Sequence, residues 1–236
     1  MSVRKQITLL LIATKQYKQF VQPLLEGVKK YFLINHDITV ELFVDELGTY
    51  NGDERVKVNQ TLIVSYGFPQ ATLKRYEIMT GKTYSCDYLY YLDIDSAIVD
   101  TIDEEIFGNI VAIEHPGFSV LGGGGWCTDE KSKAYTFPEN RVKYFCGGTQ
   151  GGKYEYYYRA MQRMKREIND DEKRGVKAEH NDEGHWNKYL SELKSFKVLD
   201  SRYCMVQQPH LQHAWGISHL SAKILALEKN HEKIRQ

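Results

Sequence analysis

The sequence is poor in the features that mark zinc-binding and disulfide-rich proteins. Its four cysteines, Cys86, Cys127, Cys146 and Cys204, are far apart, and no two of them form a CxxC pair. This spacing excludes a zinc knuckle and a dense disulfide framework, and so low a cysteine content is typical of a reducing cytosol. An excess of basic charge is also missing, because 31 Lys and Arg residues balance 31 Asp and Glu residues. We therefore expect no nucleic-acid partner.

A long apolar run is not found near the N-terminus, where residues 7–13 form an apolar stretch far shorter than the ~20 residues that span a bilayer. Lys15 and Lys18 follow it, where a signal peptide would have small residues. We interpret the stretch as a central β-strand and expect a cytoplasmic protein without a transmembrane segment. The chain also lacks the GxGxxG and GKS/GKT motifs, which excludes the common dinucleotide and P-loop sites.

Strands alternate with helices in the hydrophobic pattern of the first half. Apolar residues alternate or form short runs in the strand candidates and recur at helical spacing in the helix candidates. This alternation predicts an α/β protein with a Rossmann-like parallel sheet, and 236 residues suit one large domain. The predicted strands are residues 6–14, 38–44, 56–64, 88–95 and 110–113, and the predicted helices are residues 20–32, 71–79, 153–169 and 183–194.

The segment 88–95 joins five apolar or aromatic residues, typical of a buried strand, to Asp93 and Asp95. Because side chains alternate along a strand, we expect both carboxylates to point to the same side. Neighbouring negative charges repel unless a cation lies between them or one is protonated. A divalent cation that holds a phosphate would meet this need, and carboxylate ligands suit Mg²⁺ or Mn²⁺. An acidic turn at a strand end is the alternative interpretation.

Three other segments carry residues that could take part in chemistry. His180 and His185 are five positions apart, which does not match the i,i+4 face of a zinc helix, so residues 180–185 either cap a helix or place a carboxylate at a sugar or phosphoryl centre. His115, directly after a strand, either bonds the backbone or contacts substrate. The basic C-terminal tail is either a solvated end or a mobile cover for an anionic ligand. Its basic residues are Lys223, Lys229, His231, Lys233 and Arg235.

Three classes of function compete for Asp93 and Asp95. A nucleotide-sugar transferase would use them to hold a metal-bound diphosphate. A phosphatase of the haloacid-dehalogenase type would use Asp93 as nucleophile, although its D-x-D-x-[TV] pattern meets Ala97 at the fifth position. A non-enzymatic sugar-binding module is the third, since the 17 tyrosines offer surfaces for stacking. A calcium loop starting at Asp93 is excluded, because Ile98 occupies the position that requires glycine.

Seven segments, taken together and in order, resemble glycosyltransferase family 6, the retaining α-1,3-transferases that include the ABO blood-group enzymes and α-1,3-galactosyltransferase. Residues 12–17 look like the family's first nucleotide-binding turn, residues 72–75 like its basic helix and residues 92–95 like its metal motif. Residues 115–118 look like its HPGF acceptor motif and residues 144–152 like its donor-sugar motif. Residues 182–190 look like its catalytic helix and residues 229–235 like its C-terminal diphosphate clamp.

The resemblance implies a GT-A fold, with a nucleotide-binding half over residues 1–115 merged with an acceptor-binding and catalytic half over residues 116–236. It implies transfer of GalNAc or galactose from UDP-GalNAc or UDP-Gal to a galactoside-type oligosaccharide in α-1,3 linkage, with Mn²⁺ (or Mg²⁺) as cofactor. Glu183 is implied as the catalytic residue, and Asp93 and Asp95 as metal ligands. The implied donor-binding residues are Ile12, Ala13, Thr14, Tyr17, Arg75, Asp93, Ile94, Asp95, Cys146, Gly147, Gly148, Lys229 and Arg235; the implied acceptor-binding residues are His115, His180, Asp182 and Glu183.

The chain departs from the family's pattern at several places. His180 and Asn181 stand where the family has Trp-His before the acidic pair, and the segment after HPGF is glycine-rich and short. Relatives from animals carry a membrane anchor and stem, and we expect neither here. Several bacterial relatives replace both acids of the metal motif and work without metal, whereas this chain keeps both. Gly148 leaves room for an acetamido group, which favours GalNAc, because the family's galactose users tend to have Ala there.

Overall fold

The computed structural model describes residues 3–121, 123–230 and 234. Within these residues the strands are β1 (Gln6–Ala13), β2 (Asp37–Val44), β3 (Val56–Leu62), β4 (Tyr88–Leu92), β5 (Ser96–Ile98), β6 (Val111–Glu114), β7 (Phe145–Lys153), β8 (Lys197–Leu199), β9 (Met205–Val206) and β10 (Ile224–Ala226). The α-helices are α1 (Val21–Tyr31), α2 (Gln70–Leu73), α3 (Arg75–Met79), α4 (Pro116–Leu121), α5 (Tyr154–Lys173), α6 (Asn181–Ser191) and α7 (Pro209–Ala214).

The main sheet has the strand order β3-β2-β1-β4-β7-β6-β8, and a smaller sheet has the order β5-β10-β9. β1 is parallel to β2 and β4, β2 to β3, and β6 to β8, while β7 is antiparallel to both of its neighbours. The predicted α/β class with a largely parallel sheet is therefore confirmed. The strand order reverses between β1 and β4, and open α/β sheets bind ligands at the carboxyl ends of the strands beside such a reversal.

Apolar layers cover both faces of β1, which explains why residues 7–13 are apolar except for Thr8. Leu9 and Leu11 lie in one core cluster with Leu24 of α1. Leu10, which points to the opposite face, lies in a second cluster with Tyr157 of α5. Burial on both faces favours continuous hydrophobic sequence in a parallel sheet. In the described part of the chain, no helix is both long and apolar enough to cross a membrane.

Several boundaries differ from the sequence predictions. β4 ends at Leu92, so Asp93 and Asp95 lie in the turn that follows, because the chain leaves the main sheet to pair β5 with β10. The helix predicted over 71–79 is divided at Lys74 into α2 and α3. The helix predicted over 153–169 continues to Lys173, and the one predicted over 183–194 is α6.

Strand β7 was not predicted, because its glycines resemble a loop and have low β propensity. The glycines are needed where a neighbouring side chain lies against the strand. A Cβ on Gly151 would lie 2.1 Å from Cδ1 of Tyr90, whose ring occupies that space. The aromatic β4 thus requires a glycine-rich β7 beside it. The division of the chain near residue 115 stays a prediction.

Candidate active site

A cavity of about 200 Å³ lies at the carboxyl ends of β1 and β4, where the strand order reverses. Most of the predicted donor-binding residues line it, although they come from four separated segments. Ala13 does not line the cavity, because its side chain is fully buried in the core. Arg235 lies outside the described residues. The predicted residues that line the cavity are Ile12, Thr14, Tyr17, Arg75, Asp93, Ile94, Asp95 and Lys229.

Sequence reasoning missed part of this lining. Tyr66 and Phe68 line the cavity, although none of the segments singled out in the sequence contains them. Phe68 is 53% exposed, and it also lines a second cavity of about 330 Å³. An aromatic residue in a turn carries no local signal of a site, since only the fold brings it to the ends of β1 and β4.

Asp93 is held from three directions at the end of β4. Its backbone N–H donates to the carbonyl of Gly148 (2.7 Å). Its Oδ1 accepts hydrogen bonds from Nη2 of Arg75 (2.9 Å) and from the Tyr91 hydroxyl (2.5 Å). Its Oδ2 faces the backbone of Gly148, where a Cβ would lie only 2.5 Å away. A glycine at position 148 is therefore a condition for this placement of Asp93.

Asp95 is buried and forms an ion pair with Lys229 from the C-terminal segment. Its carbonyl also accepts from the N–H of Leu227 (2.9 Å), directly after β10. The ammonium group of Lys229 lies 5.7 Å from the ring centroid of Tyr17. The two aspartates were predicted to require a cation, and each has a basic partner: Arg75 for Asp93 and Lys229 for Asp95.

The side chains of this turn are of the chemical type that binds a hard divalent cation. Asp93 and Asp95 supply carboxylate oxygens, which Mn²⁺ and Mg²⁺ prefer. Among the described residues, no group of three or more His, Cys, Asp and Glu side chains is arranged to hold a metal by itself. A metal here would therefore need oxygen ligands from a bound phosphate group, which is the usual arrangement for Mg²⁺ in phosphate sites.

Arg75, the first residue of α3, connects the cavity to the acidic pair of α6. The side chain is only 8% exposed. Its Nη1 contacts the Gly147 carbonyl (2.9 Å) and Oδ2 of Asp182 (2.7 Å), while Nη2 bonds Asp93. Burial alone would lower the pKa of Arg75, but the negative potential of Asp182, Tyr91 and Asp93 outweighs it and raises the pKa. The guanidinium therefore stays charged between two carboxylates.

Helix α6 carries Asp182 and Glu183 in its first turn, where acidic residues interact favourably with the helix dipole. Consecutive helical residues point in different directions, so Asp182 reaches Arg75 while Glu183 reaches β7. The Gly147 N–H donates to Oε2 of Glu183 (2.7 Å). Asn187, one turn further on, fixes the helix to the same strand by exchanging two 2.8 Å hydrogen bonds with the backbone of Phe145.

The pKa of Glu183 is raised to about 7. Burial is the largest cause, because it disfavours the charged form. Hydrogen bonds from the Gly147 N–H and the Tyr144 hydroxyl act in the opposite direction, and the negative charges of Asp182 and Asp93 raise the pKa further. At neutral pH both protonation states of this carboxyl are populated, which suits a group that acts in catalysis.

The second cavity is lined by Gly147, Gly148 and residues 179–183, and it shares Arg75 and Asp93 with the first. The two cavities are therefore adjacent parts of one cleft. The Cβ of an alanine at position 147 would lie 3.0 Å from the Cβ of Glu183, so this glycine permits the close approach of α6 and β7. The predicted acceptor residues His180, Asp182 and Glu183 all line this second cavity.

His115 and Cys146 lie beside the cleft. Nδ1 of His115 accepts from the N–H groups of Gly117 (3.2 Å) and Phe118 (3.3 Å), and burial followed by the charge of His180 lowers the pKa of His115 to about 4. This is the backbone-bonded alternative for His115; its acceptor role stays a prediction. Sγ of Cys146 accepts from the Gly148 N–H (3.3 Å) within β7, and the donor-binding role of Cys146 stays a prediction.

The sequence is similar to those of known proteins over most of its length. The sequence model described as Glycosyltransferase family 6 matches residues 2–236. The chain is 26% identical over 240 residues to the rat Histo-blood group ABO system transferase 1, covering 97% of this chain and 68% of that protein. It is 22% identical over 202 residues to the human Globoside alpha-1,3-N-acetylgalactosaminyltransferase 1, covering 81% of this chain and 58% of that protein.

Proposed function

Because this chain belongs to glycosyltransferase family 6, we propose that it transfers GalNAc or galactose from a UDP-sugar to a galactoside-type acceptor in α-1,3 linkage, with retention at the anomeric carbon. The family implies a GT-A fold, a UDP-sugar donor, a glycan acceptor and, in general, Mn²⁺. The name of the human relative, Globoside alpha-1,3-N-acetylgalactosaminyltransferase 1, supports the α-1,3 linkage and GalNAc as a donor sugar. The roles of individual residues that follow are part of the proposal.

The observation that carries the proposal is the position of Arg75 between the two cavities. It touches Asp93, which lines both cavities, and Asp182, which lines the second. A donor whose diphosphate lies in the first cavity would present its sugar to Glu183 in the second. This arrangement separates the group that leaves from the group that reacts, as a transferase requires.

In the first cavity, Tyr17 and the backbone turn at Ile12–Thr14 would hold uracil and ribose. Arg75 and Lys229 would offset the charge that develops on UDP as the bond to the sugar breaks. Arg235 is proposed for the same role from the sequence alone. Asp93 and Asp95 would hold Mn²⁺ together with diphosphate oxygens, and the cation would supply Lewis-acid stabilisation of the leaving group.

In the second cavity, Glu183 would act on the face of the sugar opposite UDP. Retention requires either a covalent bond between Glu183 and the anomeric carbon or front-side attack with the Glu183 carboxylate offsetting positive charge on the ring. Both routes require an ionised Glu183. The hydrogen bond from Gly147 would hold the carboxylate in place, and Gly148 would leave room for the C2 substituent, which favours GalNAc. His180 and Asp182 would contact the acceptor.

A panel of UDP-sugars, each assayed for hydrolysis with and without Mn²⁺, tests this proposal without a known acceptor. We expect turnover of UDP-GalNAc first, UDP-Gal second, and only with the metal. Asp93→Asn and Glu183→Gln should lose turnover, while the exposed Glu155→Gln on α5 serves as a matched carboxylate control. Phosphate release from a generic phosphomonoester would instead favour the phosphatase, and sugar binding without turnover would favour a binding module.

A further inference from the structure

A buried polar group lies directly behind the Gly147 peptide. Gln150 of β7 is 1% exposed and sits next to an otherwise apolar cluster. Its Oε1 accepts from the hydroxyls of Tyr76 on α3 (3.0 Å) and Tyr157 on α5 (3.2 Å). Its Nε2 donates to the Gly147 carbonyl (2.8 Å). A buried amide is costly unless it is hydrogen-bonded, and here its carbonyl and its amino group are both used.

The Gly147 peptide is the point at which this group meets the cleft. The Gly147 carbonyl accepts from both Gln150 and Arg75, so both of its lone pairs are engaged. The Gly147 N–H donates to Glu183. The N–H and the carbonyl of Gly147 are joined only through its Cα, and glycine has no side chain to restrict rotation there. The two hydrogen bonds on the carbonyl therefore limit how the N–H can turn relative to Glu183.

We propose that Gln150 is a positioning residue for sugar transfer: it fixes the orientation of the Gly147 segment, and through it the placement of Glu183 relative to Arg75. This inference rests on the proposed function, because it assigns Glu183 the reacting centre. Gln150 itself does not line either cavity among the described residues. It acts from behind the strand, through one backbone carbonyl.

The alternative is a purely structural role, in which Gln150 only provides an acceptor for two buried tyrosine hydroxyls. Substitutions can separate the two roles. Gln150→Met keeps the length of the side chain and removes the bond to Gly147. Combining it with Tyr76→Phe and Tyr157→Phe also removes the hydroxyls that Gln150→Met leaves without their acceptor. Replacing all partners of a buried network with apolar groups of similar shape is often nearly neutral for stability.

If Gln150 positions the site, Gln150→Met and the triple variant should both lower kcat for UDP-sugar hydrolysis by about tenfold or more, since small misplacements of reacting groups are costly. The donor KM should change by less than about twofold, because the uracil-binding cavity is untouched. Tyr158→Phe is the matched control: its hydroxyl bonds the carbonyls of Thr80 and Lys82, outside this group, and kcat should not change.

Circular dichroism and thermal unfolding establish that each variant is folded. If Gln150→Met does not fold, the triple variant decides. A kcat that returns to the wild-type value in the triple variant would overturn the positioning role, as would a wild-type kcat in folded Gln150→Met. If the wild type turns over no UDP-sugar at all, the proposed function fails and the inference with it. Active wild type with unaffected variants refutes only the role of Gln150.

Discussion

The ionisation of Glu183 gives a quantitative test of its proposed role. Burial raises the pKa of Glu183 from 4.5 to about 7. About one tenth of the carboxyl groups would then be ionised at pH 6 and about nine tenths at pH 8. If only the ionised form is active, kcat/KM for UDP-GalNAc hydrolysis should rise about tenfold between these two values. The pH dependence of kcat/KM reports the free enzyme, which is the state described by the structure.

The same pKa predicts an opposite trend in stability. Because the pKa of Glu183 is higher in the folded than in the unfolded state, the folded protein binds more protons between pH 4.5 and about 7. The free energy of unfolding should therefore fall as pH rises through this window. The difference between the two pKa values corresponds to ~3 kcal/mol. Urea unfolding at pH 5 and pH 8 measures most of this difference, and in Glu183→Gln the contribution of this carboxyl should be lost.

Variants sharpen the interpretation of both trends. Glu183→Gln should lose at least ~10²-fold in turnover at every pH. Tyr144→Phe removes a hydroxyl that lowers the pKa of Glu183, so its activity profile should shift to higher pH. Glu155→Gln, an exposed change on α5, should alter neither trend. A flat kcat/KM from pH 6 to 8, combined with the same pH-dependent stability in wild type and Glu183→Gln, would refute the reasoning.

Three further outcomes are expected. EDTA should abolish turnover and Mn²⁺ should restore it; full activity after chelation would remove Asp93 and Asp95 from metal binding. Gly148→Ala would place a Cβ 2.5 Å from Oδ2 of Asp93, so we expect a higher Mn²⁺ requirement with either donor sugar. In the control variant Gly123→Ala the new Cβ meets no atom within 4 Å, so this variant should behave as wild type. A switch of donor sugar in Gly148→Ala without a changed Mn²⁺ requirement would contradict this expectation. Arg75→Lys cannot reproduce the contacts to Gly147, Asp93 and Asp182 together, and it should lower kcat/KM by ~10²-fold or more, because the buried Asp182 carboxylate would lose a well-placed partner. Wild-type kinetics would show that these contacts do not matter.

The elements with strong periodicity were predictable from the sequence. β1, β2 and α1 follow from apolar patterns alone, because each buries one face or both faces in the core. The boundaries around the site were less predictable. Asp93 and Asp95 were expected on the strand itself, whereas β4 ends at Leu92 and both residues follow it. The binding of one cation by both carboxylates stays a prediction. A strand end depends on where the partner strand lies, which the local sequence does not contain.

The resemblance to a family brought together residues that spacing could not connect. Asp93 and Asp182 are far apart in the sequence, and the contact between them runs through Arg75. No local pattern marks Arg75 as a bridge, since its three partners come from three other segments. Gln150 was overlooked for the same reason: within a glycine-rich stretch it resembles a loop residue, and its tyrosine partners lie on two helices.

The antiparallel pairing of β4 with β7 aligns Leu92 with Thr149, and the next pair places Asp93 opposite Gly148. The segment proposed to hold the metal and the segment proposed to hold the donor sugar thus pair with each other at one end of the same antiparallel strand pair. An insertion or deletion of one residue in either strand would turn alternate side chains to the wrong face. The two motifs can therefore change length only together, so the spacing inside each should tolerate far less variation than the long stretch of chain that separates them.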